Sequence, residues 1–239
     1  MVLHDKDIRE PLFEFLEDYY GKVRIIEEKN MGDSRADVVM ILEDSIVGVE
    51  IKSDADNYAR LAGQVKDYDQ YFDMNIVAVG STHGNHISKH VPQHWGIITI
   101  EFVDDKIDFF YLRQPTSNQN VKWNKKLELM WRPELAKIQE LFSMPKYKDK
   151  SKSFVITKIT EKIGKAIPDE ELKKIVSNLL FERDYNNVVE MLAEYRKGEL
   201  QKKLDKENDP QKQIELMMEM SAKRSRFNGK RTRLRRRKK

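Results

Sequence analysis

The sequence predicts a mixed α/β domain, then an all-helical region, then a basic tail. Three observations predict it. Short β-prone runs alternate with amphipathic stretches as far as Arg113. Beyond Gln114 the apolar residues fall at helical spacing, as in Ile159, Ile163, Leu172, Val176 and Leu180. The last segment, 223–239, holds 11 Lys or Arg and no acid. The expected divisions are therefore 1–114, 115–222 and 223–239, the last a disordered basic tail.

The elements follow in order. A helix is expected over 4–20, with Asp7 and Glu10 at capping-box spacing and Pro11 in the tolerant first turn. Leu12, Phe13, Phe15 and Leu16 give it an apolar side, and Gly21 stops it. Residues 23–27 read as a strand. Val38 to Leu42 and Ile46 to Ile51 form two β-prone runs around the polar Glu43-Asp44-Ser45, which is a hairpin pattern. A second helix is expected over 56–72, from Tyr58, Leu61, Val65, Tyr68 and Phe72. Strands follow at 75–80, 96–102 and 108–113, the last two joined across Asp104-Asp105-Lys106. This order needs a helical crossover after the hairpin. PTSNQN, after Gln114, is turn-like. Helices are expected at 133–142, 154–167, 169–182, 186–197 and 199–207, with another beyond Asn208-Asp209-Pro210. A helix-turn-helix fits this region no better than any small bundle does.

Composition narrows the function. The 239 residues are 39% apolar and 35% charged, as in a globular protein with charged helices. No apolar run reaches membrane length, and the first residues lack a basic-then-apolar leader pattern, so a cytoplasmic protein is expected. The absence of cysteine excludes disulfides, thiol nucleophiles and thiolate metal sites. No GxxxxGK[ST] phosphate loop occurs. The net charge of +4 hides an asymmetry: outside 223–239 there are 33 bases against 40 acids. A cationic tail on an acidic body points to nucleic-acid phosphates as partner.

The hairpin carries three charges among apolar neighbours: Asp37, Glu50 and Lys52. With a two-residue turn at Glu43-Asp44, Asp37 faces Glu50, and opposed Cβ atoms lie ~4.5–5.5 Å apart. With the turn at Asp44-Ser45, Asp37 faces Lys52 instead. In both cases the three share one face, because side chains alternate with period two, whereas a three-residue loop without a bulge would break this parity. One reading is a cross-strand ion pair on a solvated face. The other is two carboxylates sharing a divalent cation beside a lysine.

Asp37, twelve residues, then Glu50-Ile51-Lys52, on a hairpin between two helices, resembles the PD-(D/E)XK nuclease superfamily, the restriction-endonuclease-like fold. Gln64-Val65-Lys66-Asp67-Tyr68 is similar to the QxxxY element of its RecB-type branch. The stretch with His83, Val91-Pro92 and Trp95-Gly96-Ile97 resembles small bacterial and phage members. The resemblance covers about 1–113. It implies a restriction-endonuclease-like mixed sheet and metal-dependent hydrolysis of phosphodiester bonds in DNA, with RNA left open. It implies Mg²⁺ or Mn²⁺ on Asp37, Glu50 and the Ile51 carbonyl, with a helical acid, for which Glu10 is chosen over Glu14. Lys52 would orient water or offset charge on the phosphate. Gln64 and Tyr68, four apart on one helical face, would brace Lys52 or bind the substrate backbone. Ala36 stands where the family often has proline. A non-catalytic accessory protein with a nuclease fold is the alternative.

His83, His86, His90 and His94 invite a zinc reading, but Gly84 and Pro92 interrupt any helix that would align them, and no cysteine completes the set. His83 is also placed to touch a substrate phosphate. Trp95, Trp123 and Trp131 read as core residues before base-stacking ones.

Overall fold

The six β-prone runs form strands β1 (Arg24–Met31), β2 (Ser34–Ile41), β3 (Ile46–Lys52), β4 (Met74–Gly80), β5 (Gly96–Val103) and β6 (Lys106–Arg113), and two residues of the basic tail add β7 (Arg233–Leu234), which the sequence did not lead one to expect. They make one sheet of order β6-β5-β4-β3-β2-β1-β7. β3, β4 and β5 pair in parallel and the other pairs are antiparallel, so the sheet is mixed. This computed structural model describes residues 4–183, apart from 54–55, 81–83, 85, 105 and 148, and beyond them 211, 212, 214, 233 and 234.

Helix α1 (Asp5–Tyr20) buries Ile8, Leu12, Phe13 and Leu16 in one core cluster that includes Val47, Val49 and Ile51 of β3. Its first turn is closed by the His4 N–H on the Asp7 carboxylate, at 3.2 Å. The cap therefore lies three residues ahead of the expected Asp7. Pro11 then sits in the second turn, where its missing N–H removes the bond to the Asp7 carbonyl.

Helix α2 (Leu61–Tyr71) lies on the opposite face, over Gly48. It starts five residues later than the periodicity predicts. Ser53 donates both its N–H and its hydroxyl to Asp56, and Ala59 N–H bonds Asn57 Oδ1. Such local side-chain bonds hold the chain in a loop instead of a first helical turn.

Beyond the sheet come α3 (Trp123–Lys126), a 3₁₀ turn (Leu127–Leu129), α4 (Arg132–Leu141), α5 (Lys152–Thr160) and α6 (Asp169–Phe181). α3 was not expected from the sequence. α5 ends seven residues early, because Gly164 adopts a left-handed φ of 73° and closes a turn onto the Ile167 carbonyl. Buried Lys126 holds both oxygens of Asp73 at 2.6 Å, and Ser177 Oγ donates to the Leu42 carbonyl at 2.6 Å. Packing thus joins the sheet to the helices up to 181. The chain divides into two compact units, Met1–Phe181 with Arg233–Lys239 in one and Glu182–Thr232 in the other.

The helices expected at 186–197 and 199–207 lie outside the described residues. So does the helix beyond 210, apart from single positions. The disorder expected of 223–239 also lies outside them, except at Arg233 and Leu234, which pair with Ile25 and Arg24 on the open edge of β1.

Candidate active site

The hairpin register decides between the two readings of Asp37. Ile41 pairs with Ile46 and Val38 with Val49, and the Leu42 N–H bonds the Ser45 carbonyl. Glu43-Asp44 is therefore the turn, and the register continues to Asp37 opposite Glu50. The regular ladder stops just short of that pair. The Ile51 N–H donates to Asp37 Oδ2 at 3.0 Å instead. On the other side, the β1–β2 ladder skips Glu28 and Asp37, and Glu28 has a φ of 53°. Asp37's backbone finds side-chain partners: its N–H donates to Tyr68 Oη and its carbonyl accepts from Arg9 Nη1, both at 3.3 Å.

β3 is buried along its whole length, so Glu50 and Lys52 are buried charges and need partners. Lys52 Nζ lies 2.7 Å from Glu50 Oε1 and 3.1 Å from Gln64 Oε1. Gln64 Nε2 donates to the same Glu50 Oε1 at 2.5 Å. Tyr68 Oη donates to Glu50 Oε2 at 2.6 Å. Gln64 and Tyr68 share a face of α2, and Gly48 lets that face come close: a Cβ there would lie 2.3 Å from Phe72 and 2.6 Å from Tyr68.

Electrostatics follow from burial. The Asp37 carboxyl is pushed up to about 7, first by desolvation and then by the charge of Glu50; the Ile51 N–H and Arg9 pull it back. Tyr68 is pushed well above the usual phenol range by burial and by the Glu50 and Asp37 charges, so it stays a donor.

Asp37, Glu50, Ile51, Lys52, Gln64 and Tyr68 thus meet in one constellation, as expected. Glu10 does not join it. That side chain is exposed, and the residue of α1 that reaches Asp37 is Arg9, one position earlier. The periodicity of α1 carried no signal for this, since Arg9 also pairs with Asp5 at 2.8 Å like any surface i, i+4 pair. Arg9 Nη2 lies 3.7 Å from Asp37 Oδ1, and Nη1 lies 3.6 Å from Glu27. Burial lowers the Arg9 pKa, but Asp5, Asp37 and Glu27 raise it by more, so the guanidinium stays charged.

Among the described residues, no group of three or more His, Asp or Glu side chains is arranged to hold a metal ion. The donor chemistry nevertheless fits a hard divalent cation. Four carboxylates, Asp5, Glu27, Asp37 and Glu50, contact two cations, Arg9 and Lys52. Two of those carboxylates oppose each other closely enough to raise one of them. Mg²⁺ commonly takes one or two protein carboxylates and completes its shell with water.

The other candidates have structural partners. His94 Nε2, Trp95 Nε1 and Asn75 Nδ2 all contact Asp69 Oδ1, within 3.0 Å. His90 packs on Tyr58, with ring centroids 4.7 Å apart. His83 lies outside the described residues. Trp123 bonds Asp169, and Trp131 heads α4.

The family model described as bacteriophage P4 protein cII matches residues 3–209. No curated protein and no solved structure matches. A match that spans most of the chain, including both sides of the site, assigns it: the chain belongs to the bacteriophage P4 protein cII family.

Proposed function

We propose that this protein is a metal-dependent nuclease that hydrolyses phosphodiester bonds in DNA. The reading is supported above all by one observation: Glu50 receives Lys52, Gln64 and Tyr68 while Asp37 stands opposite it, from positions separated along the chain. Asp37, Glu50 and the Ile51 carbonyl would hold Mg²⁺ or Mn²⁺, both of which favour oxygen ligands. When bound, the ion supplies Lewis acidity to a phosphate oxygen and a more acidic water. The chain's own groups do the rest. Gln64 and Tyr68 fix the Glu50 carboxylate in one orientation. Lys52, held at Glu50, brings a cation to the charge that builds on the phosphate. The tail at 223–239 recruits DNA to an otherwise acidic body.

A second reading has its own observation. Lys52 already neutralises Glu50, and only two acids meet at the hairpin among the described residues. A closed cluster of that kind also suits a non-catalytic nucleic-acid-binding accessory protein. Cleavage separates the two. Circular single- and double-stranded DNA would be incubated with Mn²⁺, Mg²⁺ or EDTA, using wild type, Glu50→Ala and the isosteric Glu50→Gln. Metal-dependent cutting by wild type alone is expected. Failure to cut circular or linear DNA would move the assignment to the accessory reading.

A further inference from the structure

Arg9 is the unexplained group of this site. It is a partly buried guanidinium, with side-chain exposure of 14%, at a helical position that reaches Asp37. Only its bond to Asp5, from Nε at 2.8 Å, is short. Its distances to the Asp37 carbonyl, Glu27 and Asp37 Oδ1 run from 3.3 to 3.7 Å. The last two exceed hydrogen-bond length, so Nη2 has no short acceptor among the described residues. Asp5 anchors one edge of the guanidinium and leaves the other towards the paired carboxylates.

We propose that Arg9 binds a backbone phosphate of the nucleic acid at this site, a role that rests on the nuclease reading above. Two carboxylates repel an incoming phosphodiester, and a cation must offset that repulsion. Lys52 is held between Glu50 and Gln64. Arg9 stands on the other side, beside Asp37. Its planar fork matches two phosphate oxygens, which an ammonium cannot do. Arg9 thus occupies the place on α1 where an acid was expected, with the opposite charge and the substrate rather than the metal as its target.

A merely structural Arg9 would act as a strut from α1 to β1 and β2, and the test separates the two roles. The full chain would be compared as wild type, Arg9→Gln and Arg9→Lys. Binding to a labelled duplex of about 20 base pairs would be followed against salt in EDTA, where removing one cation from a phosphate lowers the slope by about 0.9. Cleavage with Mn²⁺ would give KM and kcat. Arg9→Gln is expected to lower the slope by that amount and to raise KM more than it lowers kcat. Arg9→Lys should keep the slope but raise KM several-fold.

An unchanged slope and KM in folded Arg9→Gln would overturn the proposal. If Arg9→Gln does not fold, Arg9→Lys decides: a raised KM at an unchanged melting temperature supports the proposal, and an unchanged KM overturns it. Wild type that binds but never cuts removes the nuclease reading alone, because the slopes in EDTA still judge Arg9.

Discussion

Asp37 gains its proton about three pH units higher in the fold than in a free chain, because burial and Glu50 oppose its charge. The native state therefore binds this proton more tightly than the unfolded state does. The resulting stability is fully present below about pH 4 and is lost as pH rises through about 7. Asp37→Asn cannot ionise. Its stability relative to wild type, measured by urea unfolding in EDTA, should rise by about 1–3 kcal/mol between about pH 5 and about pH 8.5. An identical gap at both pH values would show that Asp37 is not strained by its charge. The facing of Asp37 and Glu50 was legible in the sequence, since strand parity and a short polar turn leave few registers. Arg9 was not. Its pairing with Asp5 is local and looks like an exposed helical pair, while its approach to Asp37 depends on how α1 crosses the sheet. Glu10 has the spacing of a helical acid, but its side chain is exposed and no group of three acids forms with Asp37 and Glu50 among the described residues.

At the scale of elements, the site depends on α2 lying close over β3. Gly48 permits that approach, and Gly48→Ala is expected to cost roughly 1–3 kcal/mol, as overpacking does. The rings of Tyr68 and Phe72 would have to move, so the Tyr68–Glu50 bond should lengthen with them. Urea midpoints and near-ultraviolet circular dichroism check this, and a variant with wild-type values in both would dismiss the close-packing account. The hairpin and α2 were legible because β-branched runs and the stripe from Leu61 to Phe72 have clear periods. The start of α2 was not, because Ser53, Asp56 and Asn57 bond locally and override a pattern that continues back to Tyr58. The break in the ladder at Glu28 and Asp37 has no periodic signature either. Yet it is what directs Asp37's backbone groups to Tyr68 and Arg9.

At the scale of the whole molecule, charge is divided between an acidic body and a basic end. Removing 223–239 should weaken DNA binding and flatten its salt dependence, by roughly 0.9 in slope for each phosphate that the tail neutralises, while Mn²⁺ binding measured by calorimetry stays the same. An unchanged slope would mean that the body itself meets the phosphates. The mixed sheet with flanking helices was legible from the order of the elements. The attachment of the later helices was not, because it rests on single polar pairs such as Asp73 with Lys126. That pair also governs how the gene can be divided. Asp73 holds the Ile46 N–H and sits in the same layer as the site, while Lys126 lies beyond the last long strand. A fragment ending at Gln114 would leave a buried carboxylate without its cation, a change of the kind that costs about 3–5 kcal/mol. The heritable module is therefore longer than the hairpin and the helix that covers it: recombination that moved these with Asp73 but without α3 would transfer a buried carboxylate and leave its counterweight behind.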